Sequence, residues 1–437
     1  MAFSEADMEW NSGFKHAWDV MTQTRECVLI TGKAGTGKST LLRHFVKESG
    51  KTCVVVAPTG IAAINAGGQT VHSFFGLPIR PIMPGDSEIK KYGKYHPKYK
   101  IMANMDVLVV DEVSMLRADI IDAMDHSLRI NLGINKPFGG KQVVFFGDLF
   151  QLEPVMQNNP VERHLFTEVY RSHYFFDAQV FDELHLPNIE LTSVYRQKDE
   201  SFISLLDSIR TATLEEDGMR ELNARYMPDY EASPEELTIT LCTKNYMAEG
   251  INDFMLSRLE SRSQSYKGEI EGEFNERNLP TAFSLTLKVG AQVVFLKNHV
   301  SGKYVNGTLG KVTRLDPMQI EVELEDGETV MLEKEVWENK VYKFDNLNKR
   351  IQSDVIGRFT QYPVKLAWAI TIHKSQGLTF DRTIVDMGSG AFAHGQMYVA
   401  LSRCRSLEGL YLKQQIRYQD IIVDERVVNF ARRNLLV

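Results

Sequence analysis

The run Gly32-Lys33-Ala34-Gly35-Thr36-Gly37-Lys38-Ser39 has the spacing GxxxxGK[ST], whose residue types share one chemical use, the cradling of phosphate. Glycines let the backbone come close to an anion. Successive N–H groups ending at a helix N-terminus supply positive potential without a side chain. On this reading Gly32, Ala34, Gly35, Thr36, Gly37 and Thr40 shape the cradle, Lys38 reaches the β- and γ-phosphates of ATP, and the Ser39 hydroxyl ligates Mg²⁺. Four specified positions arise by chance in roughly one or two chains per hundred of this size, so the reading needs company.

Company comes from three other places. Asp111 and Glu112 close the apolar run Val107–Val110, where an α/β sheet delivers side chains to a ligand crevice. Asp111 can hold Mg²⁺ and Glu112 can polarise an attacking water. Gln151 ends the run GDLFQ that follows another apolar stretch, placed to sense a γ-phosphate. Arg196 in VYRQ and Arg403 in YVALSRCRS lie far along the chain, and an arginine arriving from a separate lobe stabilises charge that develops on a transferring phosphoryl group.

The elements that must position these residues follow from periodicity. From Glu26 the chain alternates short β-rich runs (CVLIT, TCVVVAP, VLVVDE, QVVFFGD) with helical stretches, the pattern of a parallel sheet covered by helices. The expected fold is α/β: a first lobe over residues 1–178, a second over 179–290 and 358–437, and between them a small inserted β-barrel over 291–357. In that insert, short strands are punctuated by turns such as Asn306-Gly307. The 437 residues carry 50 Lys and Arg against 57 Asp and Glu, so bulk attraction to nucleic acid is excluded and any such site must be a local basic track. Apolar runs are too short for a membrane span, and the acidic start lacks the pattern of a secretory signal, so a cytoplasmic, non-membrane protein is expected. The four cysteines are too scattered for a zinc or disulfide framework and read as buried thiols.

A basic track does exist. Between Gly76 and Lys100, six basic residues (Arg80, Lys90, Lys91, Lys94, Lys98, Lys100) face only Asp86 and Glu88, and Tyr92, Tyr95 and Tyr99 are interleaved. Lysines neutralise phosphates and rings stack on bases, at about 1–3 kcal/mol per base.

Taken in order, GKAGTGKS, APTGIAAINAGGQTVHSFF, VLVVDEVSML, VVFFGDLFQLEPV, LTSVYRQ, VNGTLGKV, ITIHKSQGLTFDR and YVALSRCRS make the chain resemble the petite-integration-frequency (Pif) family of DNA helicases, in the RecD-like branch of superfamily 1B. The resemblance covers nearly the whole chain. It implies two RecA-like lobes with ATP between them, a wedge inserted at about 64–100, an SH3-like barrel, and 5′-to-3′ movement on single-stranded DNA with opening of duplex or structured DNA. It gives Lys38, Ser39, Asp111, Glu112, Gln151, Arg196 and Arg403 the roles argued above and adds Gly377 to the nucleotide set. It implies DNA contacts from Thr59, Gly60, His72 and Phe75 in the first lobe, and from Thr243, Lys244, Asn245, Thr371, His373 and Lys374 in the second. The insert, basic near Lys297–Arg314, is expected to enclose the strand at Val305, Asn306 and Gly307. Family members often carry an adenine-reading glutamine near the start, where this chain has Asp7, so no adenine reader is assigned. The implied partners are single-stranded DNA and its junctions with duplex, bound by a monomer that in a bacterium would be associated with the nucleoid. Two other readings stay open at this point: an RNA-remodelling ATPase of the same architecture, and a non-motor nucleotide switch that binds nucleic acid.

Overall fold

The computed structural model describes residues 10–434 apart from 158, 198, 234, 277–278, 300, 346–347 and 349. Its first sheet is wholly parallel and is built from the most apolar runs of the chain: β1 (Val28–Gly32), β2 (Cys53–Ala57), β3 (Gln69–Thr70), β4 (Val107–Val110), β5 (Gln142–Phe146) and β6 (Asn188–Leu191), in the order β3-β2-β4-β5-β1-β6. Every residue of β1, β4 and β5 is buried, as a sheet covered on both faces requires. On one face α1 (Ser12–Gln23) and α2 (Lys38–Glu48) bring Phe14 and Phe45 against Ile30 and Phe146. Elsewhere α3 (Gly60–Ala66), α4 (Val71–Phe75), α5 (Pro97–Asn104), α6 (Ala118–Leu132), α7 (Pro160–His164) and α8 (Val180–Glu183) surround the sheet. The opposite core unites Phe75, Phe138, Phe145 and Phe175.

The boundary expected at residue 178 is corrected by β6, which pairs in parallel with β1, Ile189 opposite Ile30. Four residues, one of them Glu190, carry too little periodicity to declare their sheet.

The second lobe has a four-stranded parallel sheet of β7 (Ile239–Cys242), β18 (Ala369–Thr371), β19 (Thr383–Asp386) and β20 (Leu410–Leu412), ordered β18-β7-β19-β20. Its helices are α9 (Glu200–Arg210), α10 (Glu216–Asn223), α11 (Asn245–Arg258), α12 (Gln396–Leu401) and α13 (Glu425–Asn434). The last of these reaches back, its Phe430 stacked on Phe176 of the first lobe at 4.4 Å.

The insertion is larger than the 291–357 expected. A ribbon of β8 (Gln264–Lys267) and β10 (Ser284–Leu287) shares one core with a five-stranded antiparallel sheet of β11 (Gln292–Phe295), β12 (Leu309–Asp316), β13 (Gln319–Leu324), β14 (Thr329–Leu332) and β17 (Val364–Leu366). Of the expected barrel segment, the part after residue 334 does something else. With β9 (Glu269–Gly272) at its base, the hairpin of β15 (Glu335–Asp345) and β16 (Arg350–Gln361) runs out to the first lobe, where Tyr342, Phe344 and Ile351 pack on the core. There the Val55 N–H donates to the Tyr342 hydroxyl at 3.0 Å and Gln69 Nε2 donates to the Lys340 carbonyl at 2.9 Å.

This strap carries a prediction. Tyr342→Phe removes the acceptor of a buried amide, so it should lower stability by about 1–2 kcal/mol, read as an earlier denaturant midpoint. An unchanged midpoint would mean that water replaces the hydroxyl there.

Candidate functional site

The phosphate loop joins β1 to α2. Gly35 (φ 80°) and Gly37 (φ 83°) sit in the left-handed region, and both are also pinned by neighbours: a Cβ on Gly35 would lie 2.4 Å from Arg196 Cβ, and one on Gly37 would lie 2.8 Å from Phe14 Cζ. Thr36 is buried, its hydroxyl donating to the Lys33 carbonyl at 3.0 Å. Lys38 opens α2 and folds back, its ammonium donating to the carbonyls of Gly32 (2.6 Å) and Lys33 (2.8 Å). Ser39 is open to solvent and Thr40 is buried. Burial lowers the Lys38 pKa, while the carboxylates of Asp148 and Glu112 oppose the shift.

Asp111 and Glu112 follow β4, which lies two strands from β1. Burial raises the pKa of both. Glu112 adds to the shift at Asp111, whereas Lys38, Arg403 and Arg196 hold Glu112 down. Glu112 has φ 49°, one of three described non-glycine residues in the left-handed region. Such strain persists where surrounding structure enforces it, which fits a carboxylate aimed for chemistry. Two half-buried carboxylates side by side favour a divalent cation between or beside them.

Both second-lobe arginines reach this place. The Tyr195 N–H donates to the Gly35 carbonyl at 2.9 Å, so the segment bearing Arg196 lies on the phosphate loop itself. Arg196 Nη2 donates to the carbonyl of Gly377 at 3.3 Å, and its Nη1 is buried with no partner among the described residues. Arg403, the largest fully buried side chain, donates to the carbonyls of Val399, Ser375 and Leu378 and to the Ser402 hydroxyl. Burial pushes Arg196 down to about 9 and Arg403 to about 10. A guanidinium stays charged in a protein, so these shifts express buried positive charge gathered close to the carboxylates of Glu112 and Asp148. A polyphosphate with Mg²⁺ fits: the orphaned Arg196 N–H, the Lys38 ammonium and the glycine cradle want an anion, and the acidic pair wants a cation.

Gln151 is buried in the same cleft, its amide donating to Asp148 at 3.1 Å and its oxygen accepting from Gln376 at 3.4 Å. Several partners escaped sequence reasoning. The Tyr398 hydroxyl, from α12, accepts the Ala34 N–H at 2.9 Å and donates to Asp148 at 3.4 Å, so one second-lobe oxygen joins two points of the first lobe. Arg210 lies buried between Asp148 and Glu190, stacked 4.3 Å over the Phe150 ring. Lys33 pairs with Asp207 of α9. The quoted run YVALSRCRS contains Tyr398, but nothing in its spacing reveals a cross-lobe contact.

The expected nucleic-acid residues divide. Thr59 caps α3, accepting from the Ala62 N–H, with Gly60 next to it; both follow β2 at the sheet's carboxyl edge. Thr243 directly follows β7 and Thr371 ends the adjacent strand β18, with Lys244, Asn245 and Lys374 exposed beside them and His373 half-buried. Val305 and Asn306 are half-buried and Gly307 buried in the turn before β12. Phe75 is corrected: it is fully buried in the first-lobe core, because helical spacing turns Val71, Phe74 and Phe75 inward, and it offers no face to a base. His72, on the same helix, is half-buried, and burial lowers its pKa. Within the basic track Arg80 is already paired with Asp86 and Glu88, and Lys98 donates to the Ser73 carbonyl, whereas Tyr95 is 91% exposed. Asp7 lies outside the described residues. Three cysteines are buried and Cys53 is half-buried, all four as free thiols.

Comparison with known proteins agrees with this geometry. The family model for PIF1-like helicase matches residues 9–219. The ATP-dependent DNA helicase Pif1 of Bdellovibrio bacteriovorus is 30% identical over 426 residues, covering 94% of this chain and 90% of that protein. The chain spans only 58% of the human ATP-dependent DNA helicase PIF1, to which it is 32% identical. The crystal structure of Bacteroides sp Pif1 in complex with ADP-AlF4 superposes with a TM-score of 0.91 at 40% identity, covering 98% of this chain and 97% of that one. Bacteroides Pif1 bound to ssDNA, at the same identity and coverage, superposes at 0.70. The parts of that protein are thus arranged in two ways, and this chain matches the first. With a continuous relative at 30% identity and the phosphate loop, acidic pair and paired arginines assembled in one cleft, the chain belongs to the PIF1-like helicase family.

Proposed function

We propose that this chain hydrolyses ATP in the cleft between its two lobes and uses the cycle to move 5′ to 3′ along single-stranded DNA, opening duplex or structured DNA. The observation that carries this is the convergence of Arg196 and Arg403, from the second lobe, on the phosphate loop and Glu112 of the first. Ser39 and Asp111 would hold Mg²⁺, which when bound neutralises phosphate charge. Lys38 and the loop N–H groups orient the phosphates, and Glu112, its proton affinity raised by burial, accepts a proton from the attacking water. Arg196 and Arg403 neutralise the charge that grows on the transferring group. The Arg403 guanidinium is bonded to the carbonyls of Ser375, which directly follows the proposed DNA contacts Thr371, His373 and Lys374, and of Leu378 shortly after it. Phosphate chemistry and strand grip are therefore one hydrogen-bonded step apart.

Single-stranded DNA, rather than RNA, is favoured because the relatives are named DNA helicases and a Bacteroides relative was crystallised on ssDNA. The two arrangements of that relative support a cleft whose parts move when DNA is engaged. Among the described residues no helix is long and apolar enough to cross a membrane. We place the protein with the DNA of its cell, the nucleoid in a bacterium, acting as a monomer.

Arg403→Ala should lower kcat for ATP by about a thousandfold while nucleotide affinity changes little, since its contact strengthens in the transition state. Steady-state hydrolysis beside nucleotide binding separates the two, and an equal loss in both would reduce Arg403 to a binding residue. Strand displacement on duplexes bearing a 5′ or a 3′ overhang, with ATP and Mg²⁺, should proceed only from the 5′ overhang. Displacement from the 3′ overhang, or from neither, overturns the proposed polarity or the motor itself.

A further inference from the structure

Lys365 lies in β17, where the insertion meets the second lobe. In the antiparallel sheet it stands opposite Val294, which stands opposite Leu309, and residues opposed in this way share a face. Val294 and Leu309 belong to the second-lobe core together with Ile370 and Leu378, so that face of the sheet looks into the seam. The turn of the insertion closes the same seam: a Cβ on Gly307 would lie 3.4 Å from Leu378 Cδ2.

Into this seam the chain puts a cation with no counter-ion. Among the described residues the Lys365 ammonium has no hydrogen bond and no ion pair, and the charged group nearest in effect is another cation, Lys374. Lys374 stands exposed on the short turn His373–Ser375 and is likewise unpaired among the described residues. Burial, with Lys374 beside it, pushes Lys365 down to about 8. An anion held by both amines would reverse that shift, because opposite charge favours the protonated form. Lys365 is half-buried, and holding its ammonium beside a second unpaired cation costs free energy that an apolar residue would not incur.

We propose that Lys365, together with Lys374, grips one backbone phosphate of single-stranded DNA where the strand passes between the insertion and the second lobe. This rests on the proposed function and adds to it a contact outside the residues that sequence motifs supply.

The test is anisotropy of a labelled oligothymidylate across a salt series, without nucleotide. Lys365→Met keeps the aliphatic stem and removes the charge. It should flatten the slope of log K against log salt by about 0.7, the share of one phosphate on a single strand, and weaken binding about three- to tenfold near ~0.1 M salt. Lys365→Arg should restore both. Lys374→Met, on an exposed turn where folding is not at stake, should act in the same direction. A wild-type slope in Lys365→Met or in Lys374→Met overturns the shared phosphate while leaving the functional reading in place. Wild-type protein that fails to bind the oligonucleotide at low salt overturns both.

Discussion

The structure is organised around a surplus of positive charge that it does not itself neutralise. Lys38, Arg196 and Arg403 are brought from two lobes to the end of one strand, where Asp148 and Glu112 are the opposing charges. Holding cations that close costs several kcal/mol unless an anion joins them. A second lobe that contributes half of the cluster has a reason to approach the first when polyphosphate is present and to relax when it is cleaved and lost. On the proposed function, one cluster of charge serves both the chemistry and the movement.

Everything nearby can be read as support for that cluster. Gly35 lacks a side chain because Arg196 occupies the space, and Gly37 because Phe14 does. Glu112 is held at a backbone angle it would not choose. Tyr398 spends its hydroxyl on the loop amide of Ala34 and on Asp148, while Arg210 fills the space behind Asp148 and Phe150. These contacts belong to one arrangement, shared with both the ADP-AlF4 complex and the unliganded structure of the Bacteroides relative. Farther away, the β15–β16 hairpin and Phe430 tie the insertion and the C-terminal helix to the first lobe.

Much of the site was legible in the sequence because phosphate chemistry demands fixed residue types at fixed short spacings. The glycine loop, Asp111-Glu112 and the two arginines are of this kind. What stayed hidden depends on long-range geometry. Phe75 looks like a base contact beside His72 in one dimension, and only the packing of α4 shows it turned inward. The strand β6 is too short and too polar in its middle to announce that it completes the first sheet. The hairpin after residue 334 alternates like any barrel strand, and its length is the one hint that it leaves the barrel. Tyr398 and Arg210 carry no local signature, since their partners lie from 20 to 364 residues away.

The central claim is that nucleotide in the cleft sets the distance between the lobes. The direct measurement is a spin-label distance between exposed positions on each lobe, Lys136 and Glu249, with ssDNA bound, before and after addition of a non-hydrolysable ATP analogue with Mg²⁺. The account predicts a shorter, narrower distance distribution with the analogue, and the same shift missing when Arg196 and Arg403 are replaced. An identical distribution with and without nucleotide in the wild-type protein would contradict it.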